Sequence, residues 1–312
     1  MALSLDFAFE GFRVIRQKPK LILYWGALLI VMNVLMMTVV LLTMGSTLAD
    51  LQSFSHTQST DPSASLAVVG QMFQKILPME AMILPFGLLF GAVLNCAVYR
   101  AVLGYKNDSF GYLRLGPDEL RQVGISILFF LMFIVVYIGL IIGAVIVGGL
   151  LAVVLGLVSK NLAVLGAIVG GLFAFCGLVW YCVRMSLFGV IALDQKKIEL
   201  FASFGVTKGN FWQLLIGYIV MAIMALVVGL LAMIVIGVIV LLIGMATGAH
   251  TAFLGNMSNP TSLSVFFSPA MIVNTLLSNG VLMPLIMAMT IGTPAAAYKA
   301  LVGTSRGAAQ VF

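Results

Sequence analysis

FWQLLIGYIVMAIMALVVGLLAMIVIGVIVLLIGMA, residues Phe211–Ala246, contains no Asp, Glu, Lys or Arg, and neither does any other position from Gly209 to Tyr298. As a helix rising 1.5 Å per residue the quoted stretch would reach about 54 Å, well beyond a hydrocarbon core of about 30 Å. Lipid offers no hydrogen-bond partner to a main chain, so a spanning segment must be a helix or a strand of a closed barrel. Barrel strands alternate polar and apolar residues, and this stretch does not alternate. It is therefore a membrane helix. Two further uncharged runs, Gln122–Ser159 and Asn161–Val183, repeat the pattern.

The whole chain agrees with that beginning. Of its 312 residues 62% are hydrophobic and only 8% charged, whereas soluble domains carry about 25% charged residues. Six spans are expected: Leu21–Met44, Ala81–Leu103, Val123–Val158, Leu162–Val183, Phe211–Ala246 and Ala270–Ile291. The first is expected as an uncleaved span, because it follows a basic segment and is too long for a signal peptide's apolar region. Spans three and five are long for one crossing, with Gly148-Gly149 and Gly237 as candidate breaks. Splitting the third, alone or together with the fifth, leaves Lys196, Lys197 and Lys208 on the outer side, so six spans are retained. With six, fourteen of the sixteen Lys and Arg fall on one side and only Lys75 and Lys160 on the other. Positive charge marks the cytoplasmic side, so both termini are expected in the cytoplasm and the protein in the inner membrane. The formal charge of +6 reflects that orientation and anionic headgroups, and no nucleic-acid partner is expected.

The chain also resembles itself. Phe9, Phe12, Val14 and Arg16 recur in spacing as Phe201, Phe204, Val206 and Lys208, and Pro85, Tyr99, Arg100, Ala101 and Gly104 as Pro284, Tyr298, Lys299, Ala300 and Gly303. Both matches keep their order at similar offsets. The expected organisation is an all-α integral membrane domain of three parallel hairpin modules, 1–107, 108–194 and 195–312, each entered through a short amphipathic lead-in. In the first lead-in, Leu5–Lys18, a helical period places Leu5, Ala8, Phe9, Phe12 and Ile15 on one face and Asp6, Glu10, Arg13 and Gln17 on the other. Pro19 should end it. Asp61-Pro62 reads as a helix start, with Leu66, Val69, Phe73, Ile76 and Leu77 forming a second surface helix. Pro260 and Pro269 are further candidate starts.

The stretch Leu193-Asp194 to Glu199, followed by Phe204-Gly205-Val206-Thr207-Lys208-Gly209-Asn210-Phe211-Trp212, resembles a recurring segment of a bacterial membrane family. That family comprises the membrane domain attached to some glycerophosphodiester phosphodiesterases and stand-alone six-span relatives. The resemblance in layout extends over most of the chain. It implies a link to phospholipid metabolism by association; no phosphodiesterase catalytic segment is read in these residues.

Chemistry-bearing constellations are sparse. His56 and His250 stand without acidic or thiol companions, so neither a metal nor an acid–base site is expected. Cys96, Cys176 and Cys182 fall within spans and read as small apolar residues. No phosphate-binding glycine loop occurs, and no Ser-His-Asp set assembles on one side of the membrane. No cofactor is expected. Glu80 with Lys75 reads as an interfacial anchor, and Asn33 and Asn95 as hydrogen-bonding helix contacts. The GxxxG pairs Gly87/Gly91, Gly139/Gly143, Gly166/Gly170 and Gly244/Gly248 read as internal packing.

The sharpest constellation is basic and aromatic. Arg100, Arg184 and Lys299 end spans two, four and six, accompanied by Tyr99, Tyr181 and Tyr298. They are either topology anchors with interfacial tyrosines or, gathered by pseudo-symmetry, a site for an anionic lipid headgroup. Asp108, Asp118 and Asp194 are the nearby carboxylates that would offset them. The expected function is a non-enzymatic membrane protein binding or organising lipids or another amphiphile. The alternative is a transporter or channel for a small solute, with Pro85 and Pro284 breaking their spans. Membrane lipids are the expected partners; a membrane-protein partner or a second copy is compatible with either. In a variant without native thiols, a cysteine at Ser55 should react with an impermeant reagent from outside and one at Ser305 should not. External labelling at 305 would reverse the topology.

Overall fold

The computed structural model describes residues 4–44, 62–106, 109–247 and 268–309. His56, Asp61, Asp108, Gly248, His250 and Pro260 lie outside the described residues. Every regular element among the described residues is helical, and six helices are long and apolar enough to cross a bilayer. The chain is an all-α integral membrane protein. In order, a 3-10 turn (Leu5–Phe9) precedes α1 (Glu10–Gln17), α2 (Lys20–Met44) and α3 (Pro62–Leu103). A second 3-10 turn (Ser109–Tyr112) leads to α4 (Pro117–Gly156), α5 (Ala163–Met185), α6 (Phe188–Gln195), α7 (Ala202–Val206) and α8 (Phe211–Ala246). After α9 (Pro269–Leu277), a π-helical turn (Ser278–Leu282) runs into α10 (Met283–Ala309).

The long spans are continuous. α4 passes through Gly148-Gly149 and α8 through Gly237 without interruption, so neither candidate break is used. The surface helix expected over residues 66–77 is not separate from span two; α3 runs unbroken through Pro78 and Pro85. Each proline deletes one main-chain bond, and stopping the helix in apolar surroundings would leave several more unmade. Pro62 and Pro269 do begin helices. At Pro269 the preceding Ser268 hydroxyl accepts from the Met271 N–H at 3.4 Å, capping an orphan donor.

The expected apolar face of the lead-in is divided between packed and exposed residues. The buried residues are Phe7, Ala8, Gly11, Val14 and Ile15, while Leu5, Phe9 and Phe12 are exposed. Phe7, Ala8, Gly11, Val14 and Ile15 themselves keep a helical period, so one edge of the apolar side packs inward and the edge carrying Leu5, Phe9 and Phe12 stays outside. α1 stops at Gln17, just before the Lys18-Pro19 step, as expected.

The chain divides into two compact units. One comprises Met1–Ala8, Leu115–Val220 and Thr293–Phe312; the other comprises Phe9–Arg114 and Met221–Gly292. In the first unit α4 and α5 form an extended hairpin whose backbones meet at small residues. A Cβ on Gly148 would stand 2.7 Å from the Gly166 carbonyl oxygen, and one on Gly170 2.5 Å from that of Ala144. Gly166/Gly170 is therefore an internal packing pair, as the spacing predicts. Gly91 and Gly139, by contrast, face open space. Phe7 lies over Gly217 and meets the Tyr218 ring edge-on at 6.3 Å.

In the second unit α2 crosses the π-helical turn at Gly26. A Cβ there would overlap the Gly280 carbonyl. Pro284 has no N–H to offer the carbonyl four residues back, which is Gly280, and that carbonyl lies against Gly26 instead. Gly11 of α1 makes a similar approach to Ala288 and Met289. The turn Ser109–Tyr112 carries three successive left-handed residues, Phe110, Gly111 and Tyr112, and is held from outside itself. Buried Trp25 donates its indole N–H to the Gly111 carbonyl at 2.9 Å. Lys18 donates to the Tyr112 hydroxyl at 2.9 Å.

Because the Gly26 contact is backbone against backbone, Gly26→Ala should destabilise at the upper end of the roughly 1–3 kcal/mol typical of overpacking. A Cβ on Gly149 would meet nothing within 4 Å, so Gly149→Ala should be neutral or stabilise by up to about 1 kcal/mol. Thermal unfolding in detergent measures both. Equal effects would contradict the crossing.

Candidate functional site

The first unit holds an open, apolar groove of about 640 Å³. Its floor is one stripe of α4, Leu128, Leu131, Met132 and Val135, and its other wall is the segment Ile198–Ala202. The floor residues fall at i, i+3, i+4 and i+7, the spacing that places side chains on one helix face. They remain accessible, Val135 to 66%. Glu199 is the one charged residue of the lining.

The wall segment is a strap held at both ends. On its upstream side α6 ends at Lys196, which adopts φ 55° and ψ 31°. That left-handed conformation is uncommon for a residue with a side chain and turns the chain out of the helix. Just before it, Asp194 accepts a 2.7 Å hydrogen bond from the Tyr298 hydroxyl. Downstream, α7 is docked on the end of α5. Ser203 donates to the Arg184 carbonyl at 2.7 Å and accepts from the Leu187 N–H at 3.3 Å. Thr207 donates to the Ser203 carbonyl at 2.8 Å and accepts from the Arg184 guanidinium at 3.2 Å. Both hydroxyl residues are fully buried, which is tolerable because both are bonded. They also satisfy a carbonyl that the end of α5 leaves without a helical donor.

A column of rings fixes the adjacent face of α4. Phe129 stacks on Phe188 at 4.4 Å and lies 6.2 Å from Tyr181, while Phe133 stands 6.3 Å from Tyr181 and stacks on Tyr137 at 6.0 Å. Stacked pairs of this kind add roughly 0.5–1.5 kcal/mol each beyond burial. With the ring face packed against α5 and α6, the neighbouring stripe is left to form the groove.

The six residues singled out from sequence are placed as follows. In the second unit Arg100 is buried to 3% exposure and donates to the Tyr112 carbonyl at 3.3 Å, with Tyr99 buried beside it. It serves the left-handed turn. In the first unit Arg184 engages Thr207 and lies 5.9 Å from the Trp180 ring and 5.6 Å from that of Phe204, within range of a cation–π attraction. Tyr181 is buried, and its hydroxyl finds no hydrogen-bond partner among the described residues. Tyr298 is buried on Asp194, and Lys299 is exposed. Asp118 pairs with Arg121 at 2.9 Å. Glu80 and Asn33 are exposed, and Asn95 is half-buried.

The groove residues were not singled out from sequence. On α4 they are indistinguishable from any lipid-facing stripe. The strap alone carried a signal, as a charged and apolar interruption between α6 and α7 inside the segment that bears the family resemblance. No protein-family model, no curated protein and no solved structure matches the chain.

Removing the Ser203 hydroxyl leaves the Arg184 carbonyl short of a buried donor, a loss of roughly 1–3 kcal/mol. Ser203→Ala should therefore loosen α7 and speed tryptic cleavage after Lys196 and Lys197 severalfold. An unchanged cleavage rate would show that the strap is held by other contacts.

Proposed function

We propose that this chain is a non-enzymatic, multi-pass protein of the inner membrane, with both termini cytoplasmic, that binds a membrane amphiphile in the groove between α4 and the strap. The observation that carries this reading is the lining: four apolar side chains of a membrane helix facing a segment whose Ile198, Leu200 and Phe201 are themselves apolar. A volume of about 640 Å³ lies within the roughly 300–1,000 Å³ of small-molecule sites. A polar solute would gain little from such walls, whereas an acyl chain matches them. The family resemblance and the three-module organisation belong to the same proposal, and the resemblance, through its link to phospholipid metabolism, favours lipid.

A transporter or channel is the second reading, and its specific support is the π-helical turn ahead of Pro284, since transporter sites use interrupted spans. The Gly280 carbonyl at that interruption is packed on Gly26, which favours a structural use. The second apolar crevice described, lined by Met32, Leu35, Met36, Val39, Phe86 and Phe90, measures about 50 Å³ and is too small for an acyl chain.

Leu131→Trp tests the proposal by filling the groove. Full-length protein is taken through extensive detergent exchange to strip loosely bound lipid, then offered a phospholipid with a photoreactive acyl chain. Crosslinks in the wild type should concentrate in the peptides holding residues 128–135 and 198–202, and the variant should lose most of them. Equal crosslinking there would sink the groove as a binding site.

A further inference from the structure

The groove's rim carries charge of one predominant sign. Lys196 and Lys197 immediately precede the strap and are exposed, and the Lys197 ammonium lies 3.9 Å from the Glu199 carboxylate that lines the groove. That separation is at the limit of an ion pair. Both side chains are more than half exposed, so the pair is screened and weak, and the rim keeps a net positive charge.

The strap begins beside the charged end of α4: a Cβ on Gly124, three residues past Arg121, would stand 3.6 Å from Ile198. Arg121 is the last charged residue of α4, and the floor residues 128–135 lie about 10–20 Å further along the helix. The strap therefore sets two ammonium groups beside the first turns of an uncharged helix face. An occupant satisfying both surfaces has an apolar tail and a negatively charged head. Neither surface alone specifies that combination: the stripe would take any hydrocarbon, and exposed lysines would take any anion.

We infer that the occupant of the groove is an anionic glycerophospholipid, with one acyl chain along Leu128, Leu131, Met132 and Val135 and its phosphate headgroup on Lys196 and Lys197. This rests on the groove reading and adds the headgroup class. Glu199 then has a definite role. It competes with the phosphate for Lys197 and repels a second negative charge, so it lowers the affinity for anionic lipid and tunes the site toward exchange. The positively charged cluster expected from Arg100, Arg184 and Lys299 is not required: Arg100 and Arg184 hold the chain's own groups, while Lys196 and Lys197 stand at the rim.

The test uses the detergent-exchanged full chain and three photoreactive lipids of identical acyl chains, carrying phosphoglycerol, phosphocholine and phosphoethanolamine heads. The wild type should crosslink the phosphoglycerol lipid best. The double variant Lys196→Gln, Lys197→Gln should lose roughly thirtyfold in that lipid's apparent affinity, the scale expected for two juxtamembrane basic residues, while its crosslinking of the other two stays unchanged. Glu199→Gln should shift the preference the other way. Equal labelling of all three lipids by wild type, a preference for phosphoethanolamine, or a double variant that keeps its phosphoglycerol preference would overturn the headgroup assignment and leave the apolar groove intact. If Leu131→Trp labels like wild type with every lipid, the groove reading falls and this inference with it.

Discussion

Where water is absent, a main-chain N–H or C=O must find its partner within the protein, and most features of this molecule follow from that constraint. It keeps α3 helical through two prolines and α4 and α8 uninterrupted through their glycines. It also makes the helix ends demanding, because each end leaves several groups without a helical partner. The solutions are visible at three junctions. Ser268 caps α9, Trp25 donates to the left-handed turn at Gly111, and Ser203 serves the Arg184 carbonyl at the end of α5. Short elements that look like connectors are there in large part to finish long helices.

Helices in lipid gain little from burying apolar surface against one another, since lipid is as apolar as leucine; close packing has to supply the attraction. Small residues supply it at Gly148, Gly166 and Gly170 in one unit and at Gly26 and Gly280 in the other. The same rule explains the groove. On α4 the ring-bearing face packs closely through Phe129 and Phe133, whereas the strap is held at its ends by polar bonds rather than along its length by small residues. It stands off the neighbouring stripe, and space remains between them.

The use of charge separates the fold from its proposed function. Arg100 and Arg184 are drawn inward, where carbonyls, a hydroxyl and ring faces stabilise them. A guanidinium suits that work because its planar fork donates in several directions and stacks on rings. Lys196 and Lys197 are compact, hydrated and exposed, the character expected of groups that meet a headgroup at the membrane surface. Residue type and depth, more than count, distinguish the two uses.

Much of the architecture was legible because lipid imposes it through composition. Long uncharged runs without polar–apolar alternation, such as Phe211–Ala246, leave a helix as the spanning structure, and prolines at 62 and 269 mark helix starts by fixing the backbone angle and lacking an N–H. Local period went part of the way: it gave the lead-in an apolar side, but not that Ala8 and Ile15 are buried while Leu5, Phe9 and Phe12 stay exposed. The site was hardly legible. Leu128, Leu131, Met132 and Val135 look like any lipid-facing stripe, and Arg100 looks like an interfacial anchor until Tyr112 is seen to accept from it. Sequence by itself determined that this chain crosses a membrane as six helices, because composition decides which segments enter lipid and any main chain there must pair within itself. Only the tertiary structure decided which cations the fold uses and where a groove stays open, because both depend on which distant segments meet.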